Sequence, residues 1–205
     1  MNLLMRICSH NLNKKILIIA EIGNNHEGSL SLAKKLVYLA AKSGADAVKF
    51  QTYKPDFYVS KVIDPERFKM LSKFHLSNDK FKILKDYSNQ LGLIFISTPF
   101  DLNSAKFLNK IVKVFKISSS DINFFPLLEF VSKTKKPILL STGIADISNI
   151  KKSLNFIKRF RSLDKVILMH CVSSYPTLPK QANLNNINKL NKLVDNIGYS
   201  DHTIG

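Results

Sequence analysis

The fold class this sequence predicts is α/β, a TIM-type (β/α)8 barrel that stops after its seventh strand. Three observations predict it. Short apolar runs rich in β-branched residues alternate with longer amphipathic segments. Polar side chains gather just past the end of each run, where both barrels and open doubly wound sheets keep their sites. No G-x-G-x-x-G follows the first run, which disfavours a dinucleotide fold.

Taken in order, the apolar runs cover residues 16–20, 47–50, 93–97, 114–117, 138–141, 166–170 and 197–199. Near-continuous hydrophobicity of this kind is what strands covered on both faces require. Between the runs the periodicity turns helical. Residues 31–43 set Leu32, Leu36, Leu39 and Ala40 on one face, and residues 78–91 do the same with Phe81, Leu84 and Leu91. Segments 103–108, 126–133, 147–160 and 184–193 complete the set. Gly44 and Gly92 stand just after two of these helices, where a left-handed residue closes the last turn at little cost. Residues 1–15 read as an N-terminal extension and 16–205 as the barrel. A closed barrel needs about eight strands and typically ~250 residues. The expectation is therefore an incomplete barrel whose first and seventh strands each present an open edge.

Composition narrows the function classes. The 205 residues carry 31 basic and 15 acidic side chains, a formal charge of +16. The excess is spread along the chain, on expected outer helix faces such as Lys34-Lys35, Lys151-Lys152 and Lys158-Arg159. Lys, Asn and Ile are abundant together, which points to compositional bias. No nucleic-acid partner is expected, while the positive field favours a small anionic substrate. No apolar run reaches the ~18 residues of a membrane span, so no membrane partner is expected. The opening Met-Asn-Leu-Leu-Met-Arg has neither the apolar length nor the cleavage site of a secretory signal, and a cytoplasmic protein is expected. Cys8 and Cys171 do not make a disulfide framework, and Cys171, within an apolar run, reads as a small buried thiol.

The strand ends carry the chemistry. The first reads Glu21-Ile22-Gly23-Asn24-Asn25-His26-Glu27-Gly28. Glu21 is either a functional carboxylate or the ion-pair partner of a lysine on the next strand, and 25–28 reads as a turn bonded by its own polar side chains. The second end, Lys49-Phe50-Gln51-Thr52, and the fourth, Lys116-Ile117-Ser118-Ser119-Ser120-Asp121, each place a lysine in an apolar run, which is costly unless the charge is paired. The third gives Ser97-Thr98-Pro99-Phe100-Asp101 and the fifth Ser141-Thr142-Gly143. The sixth gives His170-Cys171-Val172-Ser173-Ser174-Tyr175-Pro176. Two lysines and at least four hydroxyls at one end of a sheet suit a phosphate and a carboxylate: fixed positive charge, short O–H donors and little competing negative charge. The seventh end, Ser200-Asp201-His202-Thr203, sets a histidine beside an aspartate. It reads as a metal ligand, an acid/base or a satisfied structural histidine. His10, His75 and His170 read as structural.

These motifs occur in order over residues 17–203 and resemble the sialic acid synthase family. The stretches that carry the resemblance are Glu21-Ile22-Gly23 with Asn25-His26-Glu27-Gly28, Lys49-Phe50-Gln51-Thr52, Ile96-Ser97-Thr98-Pro99-Phe100, and Lys116-Ile117-Ser118-Ser119. Further on they are Leu140-Ser141-Thr142-Gly143, His170-Cys171 through Tyr175-Pro176, and Gly198 with Ser200-Asp201-His202-Thr203. The resemblance implies condensation of phosphoenolpyruvate with N-acetylmannosamine or a related amino sugar, giving a sialic acid and phosphate. It implies that Lys49, Thr98, Lys116, Ser119, Ser141, Ser173 and Ser200 hold the phosphate and carboxylate of phosphoenolpyruvate; some members have asparagine at the Ser173 position. It implies that His202 is one of two histidines on a catalytic divalent metal, Mn or Mg. Glu21 becomes a catalytic acid, and Asp121 and Tyr175 lie near the sugar. A homodimer is implied as well.

The departure from the family is at the C-terminal end. The second metal histidine, the eighth strand and a small antifreeze-like domain are expected to be absent. Two alternatives stand beside the leading reading. One is a sister synthase making legionaminic or pseudaminic acid. The other is a non-catalytic truncated remnant that serves as a binding or interaction protein.

Overall fold

Strand–helix alternation organises the described residues, 5–204, of the computed structural model. They divide into two units, Arg6–Lys113 on one side and residues 114–204 with Met5 on the other. Both are α/β, and both are built on parallel strands that follow one another in sequence order.

In Arg6–Lys113 a small antiparallel hairpin, β1 (Arg6–Ile7) and β2 (His10–Asn11), precedes a sheet of β3 (Ile19–Gly23), β4 (Ala47–Thr52) and β5 (Ile94–Pro99). Helix α1 (Leu30–Lys42) joins β3 to β4. Ser29 caps it by accepting the Leu32 amide at 3.2 Å, and Gly44, at φ +80°, ends it. Its buried face is Ala33, Val37 and Ala40, whereas Leu39 is 47% exposed. The face expected from Leu32, Leu36, Leu39 and Ala40 is thus rotated. Spacing i, i+4, i+7 of small side chains lets the helix backbone sit close to its neighbours.

Between β4 and β5 lie α2 (Pro55–Tyr58), α3 (Pro65–Phe74) and α4 (Asn78–Gln90), and α5 (Leu102–Leu108) follows β5. The short helices α2 and α3 were not anticipated, although Asp64-Pro65-Glu66 is a helix-start signal: the Asp64 carboxylate caps the Arg67 amide at 3.1 Å and Pro65 takes the first helical position. An aromatic cluster sits within the largely aliphatic core of this unit. Phe50, fully buried, stacks on Phe95 with ring centroids 5.6 Å apart and meets Phe81 of α4 edge-on at 6.3 Å. Each such ring contributes roughly 1.5–3 kcal/mol by leaving water.

The first strand begins later than its hydrophobicity predicts. Ile16 is 77% exposed and Ile18 53%. The Ile18 amide is taken by the Asp46 carboxylate at 3.0 Å rather than by a strand, and Lys15 joins the same carboxylate at 2.6 Å. The run from residue 16 is therefore a lead-in tied to Asp46, and among the described residues the strand beside β3 in its sheet is β4.

In residues 114–204 the sheet runs β6 (Phe115–Ile117), β7 (Ile138–Ser141), β8 (Val166–Cys171), β9 (Asn196–Ser200). Helices α6 (Phe125–Lys133), α7 (Ile147–Lys158) and α8 (Asn186–Leu190) and two 3-10 turns, Ser119–Asp121 and Pro179–Gln181, connect them. Strands β6, β7 and β8 are buried throughout, while β9 is half-exposed along its length. The register sets Lys116 opposite Leu139, Ser141 opposite Met169 and Cys171 opposite Ser200. Leu127, Leu128 and Val131 of α6 and Ile150, Leu154 and Ile157 of α7 are buried, and Phe125 and Phe156 meet at 4.7 Å. Among the described residues no helix is long and apolar enough to cross a membrane.

Candidate functional site

In both units the polar residues singled out above stand at the C-terminal ends of parallel strands, as the direction of the chain requires. In Arg6–Lys113, Glu21 of β3 and Lys49 of β4 are register partners and form an ion pair. Lys49 also donates to Thr98 Oγ1 on β5 at 3.3 Å. Lys49 keeps 12% of its side chain exposed and Glu21 49%, so the lysine is the enclosed member and the carboxylate the open one. The pairing offered as the structural alternative for Glu21 is therefore present, with the carboxylate still accessible to solvent. Beside it, the Asn24 amide donates to Gln51 Oε1 at 2.9 Å. That contact had no signal in the sequence beyond two amides at adjacent strand ends.

Asp101, which follows β5, caps α5. Its Oδ1 accepts the Ser104 amide at 2.7 Å, and its Oδ2 accepts both the Ser104 hydroxyl at 2.6 Å and the Lys54 amide at 2.9 Å. It is structural. His26 is 1% exposed, accepts the Gly28 amide on Nδ1 at 3.1 Å, and sits 6.0 Å from the Phe50 ring. Burial, with Lys80 nearby, holds its pKa below the ordinary imidazole value, so the neutral form is favoured.

In residues 114–204, Lys116 is 7% exposed. Its ammonium donates to Ser141 Oγ across one strand boundary at 2.5 Å and to the Ile117 carbonyl at 3.1 Å. Ser119, in the 3-10 turn after β6, accepts the Gly143 amide at 2.9 Å and lies 3.2 Å from Cys171 Sγ. Cys171 is 5% exposed, in line with a small buried thiol. Asp121, two residues beyond Ser119, is pushed up to about 6 by burial, opposed by its Ser120 hydrogen bond and by the positive charge of Lys116. Such a carboxyl exchanges its proton close to neutrality.

The ends of β8 and β9 supply the rest. His202 Nδ1 lies 2.6 Å from the Val172 carbonyl, which must accept from it; Nε2 is then the lone-pair nitrogen, 3.4 Å from Ser200 Oγ. Tyr175 lies against the His202 ring at 4.1 Å and is 76% exposed. Ser173 is exposed. His170 bonds the Ala182 carbonyl at 2.7 Å and stacks on Tyr199, a satisfied core histidine as expected.

A backbone-carbonyl partner on Nδ1 is the support that orients a metal-ligating imidazole, so His202 fits one position in a metal's shell. Among the described residues no group of three or more His, Cys, Asp or Glu side chains gathers into a complete set.

A family model described as the NeuB family matches residues 36–205. The chain belongs to the NeuB family. It is 45% identical over 190 residues to an uncharacterized protein of Methanocaldococcus jannaschii, covering 92% of this chain and 56% of that one. It is 40% identical over 205 residues to an N,N'-diacetyllegionaminic acid synthase of Legionella pneumophila, covering 92% and 58%. The crystal structure of an N-acetylneuraminic acid synthetase from Leptospira borgpetersenii, in complex with citrate, matches with a TM-score of 0.89 at 36% identity, over 94% of this chain and 67% of that one. The chain thus spans rather more than half the length of the two relatives.

Proposed function

We propose that the protein condenses phosphoenolpyruvate with an amino sugar, N-acetylmannosamine or a close relative, to give a sialic acid and phosphate. The observation that carries the reading is the enclosed Lys116–Ser141 pair beside the Gly143–Ser119 contact, in a chain of the NeuB family. A buried ammonium that donates to a hydroxyl and to a backbone carbonyl is suited to an anion that brings its own negative charge.

Lys116, Ser119, Ser141, Ser173 and Ser200 are assigned to the phosphate and carboxylate of phosphoenolpyruvate. Lys49 and Thr98 are assigned to the same ligand. Asp121 and Tyr175 are assigned to the sugar, and Asp121 is able to move a proton at neutral pH. The C3 carbon of phosphoenolpyruvate bonds to the aldehyde carbon of the open-chain sugar, whose C=O opens to a hydroxyl as its oxygen takes up a proton; water adds at C2, and phosphate leaves with cleavage of its C–O bond. Glu21, open to solvent while tethered to Lys49, takes the proton of that water. A divalent metal, Mn or Mg, with His202 Nε2 as one ligand, supplies Lewis-acid polarisation of the aldehyde when bound.

The test mixes the protein with phosphoenolpyruvate, manganese and N-acetylmannosamine and follows phosphate release. No release with any amino sugar tried overturns the reading. A second reading, a sister synthase making legionaminic acid, is favoured by the 40% identity to the Legionella enzyme. Release with a diacetamido sugar but not with N-acetylmannosamine selects it.

A further inference from the structure

Three strand ends meet at one hydroxyl. Ser119 Oγ, after β6, receives the amide of Gly143, after β7, at 2.9 Å, and Cys171 Sγ, at the end of β8, lies 3.2 Å away. A serine hydroxyl has one proton and two lone pairs. The Gly143 N–H occupies one lone pair, and the thiol is the neighbour placed to occupy the other.

We infer that Gly143 and Cys171 are positioning residues that turn Ser119 into a one-way donor, its proton presented to an anion. In this assignment the S–H, like the Gly143 N–H, is directed at Oγ, which leaves the O–H to donate outward. Phosphate and carboxylate oxygens at neutral pH are acceptors, so a hydroxyl locked as donor suits them and a free rotor does not. The same logic acts at Lys116, whose ammonium fills a lone pair of Ser141. The inference rests on the anion reading given under Proposed function and deepens it.

Glycine at 143 is demanded by space, not by backbone conformation, since its φ is not in the left-handed region. A Cβ there would stand 2.7 Å from Cys171 Sγ, 2.7 Å from Ser173 Oγ and 3.1 Å from Ser119 Oγ. Any larger residue crowds Cys171 and Ser119, whose approach sets the donor, and Ser173 beside them. Cys171 is half of a matched pair with this glycine: its sulfur is close enough to reach Ser119 only because position 143 has no side chain.

The test is phosphoenolpyruvate binding by titration calorimetry to the chain and to Cys171→Ala, Cys171→Ser and Gly143→Ala. Loss of one neutral hydrogen bond corresponds to a roughly fivefold weakening. Cys171→Ala is expected to bind about fivefold more weakly. Cys171→Ser, which keeps a donor, is expected to stay within about twofold of the parent. A purely packing role gives the opposite order in thermal stability, because a buried hydroxyl tolerates this site less well than a methyl. Gly143→Ala is expected to weaken binding by about tenfold or more, through displacement of Ser119. If that variant does not fold, the Cys171 pair decides alone. Equal binding by Cys171→Ala and Cys171→Ser, whether both normal or both weak, overturns the inference while leaving the anion reading intact. No binding by the parent chain overturns the anion reading, and this inference with it.

Discussion

Glu21 and Lys49 are opposite one another in the β3–β4 register and bonded through their side chains, yet the lysine is enclosed and the carboxylate half in water. A ligand anion that needs Lys49 must compete with Glu21 for it. Glu21→Gln removes the competitor. Half-exposed pairs are worth about 0.2–1 kcal/mol, so phosphoenolpyruvate is expected to bind roughly 1.5- to 5-fold more tightly to the variant. Under the proposed mechanism phosphate release is expected to fall sharply, because Glu21 is there assigned to take the proton of the attacking water. Calorimetry beside a phosphate assay separates the two effects; weaker binding would show that the carboxylate supports the anion site rather than competing with it.

Lys116→Met keeps the stem and removes the buried charge. A charge-assisted hydrogen bond contributes about 1.5–3 kcal/mol, so phosphoenolpyruvate affinity is expected to drop by about 10- to 150-fold. The melting temperature is expected to hold or rise, because an apolar side chain carries no desolvation cost there. Unchanged affinity would show that the anion lies elsewhere.

Asp121 gives a pH signature. Its pKa rises from 3.8 to about 6 on folding, through burial. Between those values the folded chain holds more protons than the unfolded chain, so this group's contribution to stability falls as pH rises. The penalty is absent below 3.8 and complete above about 6. Asp121→Asn cannot ionise. Its stability relative to the parent is expected to climb between pH 4 and pH 7, as measured by urea denaturation at several pH values; a constant difference would mean that the carboxyl titrates normally.

Phe50→Ala empties the centre of the aromatic cluster with Phe81 and Phe95, directly after Lys49 in β4. Large-to-small changes of this kind cost about 3–5 kcal/mol. A loss below about 1 kcal/mol in denaturant titration would show that the cluster relaxes around the gap.

The fold was readable where hydrophobicity and burial coincide. β7 matches its apolar run to the residue, β4 and β5 run two residues past theirs, through the enclosed Thr52 and Thr98, and β8 runs one past its own, to the buried Cys171. The run at residues 16–18 misled because isoleucine there lies outside the sheet, beside Asp46. The hairpin of β1 and β2 has two residues per strand, too few to show a period. At the candidate site, residue types at strand ends were visible one at a time. Which of them touch was not: the approach of Cys171 to Ser119, the lone-pair assignment at Ser141 and the Asn24–Gln51 bond all depend on cross-strand distances that no linear spacing encodes.

The stretch from Tyr53 to Ser77 is fastened near both ends and bare in the middle. Lys54 is held by Asp101, and the Tyr53 hydroxyl reaches the Leu71 carbonyl at 3.3 Å, while Val62 and Ile63 are 91% and 86% exposed. That makes it a natural handle: a fluorophore attached through a cysteine at position 62, in a chain whose Cys8 has first been replaced, would ride on a pinned arch, and its signal could be followed during ligand titration without touching a strand.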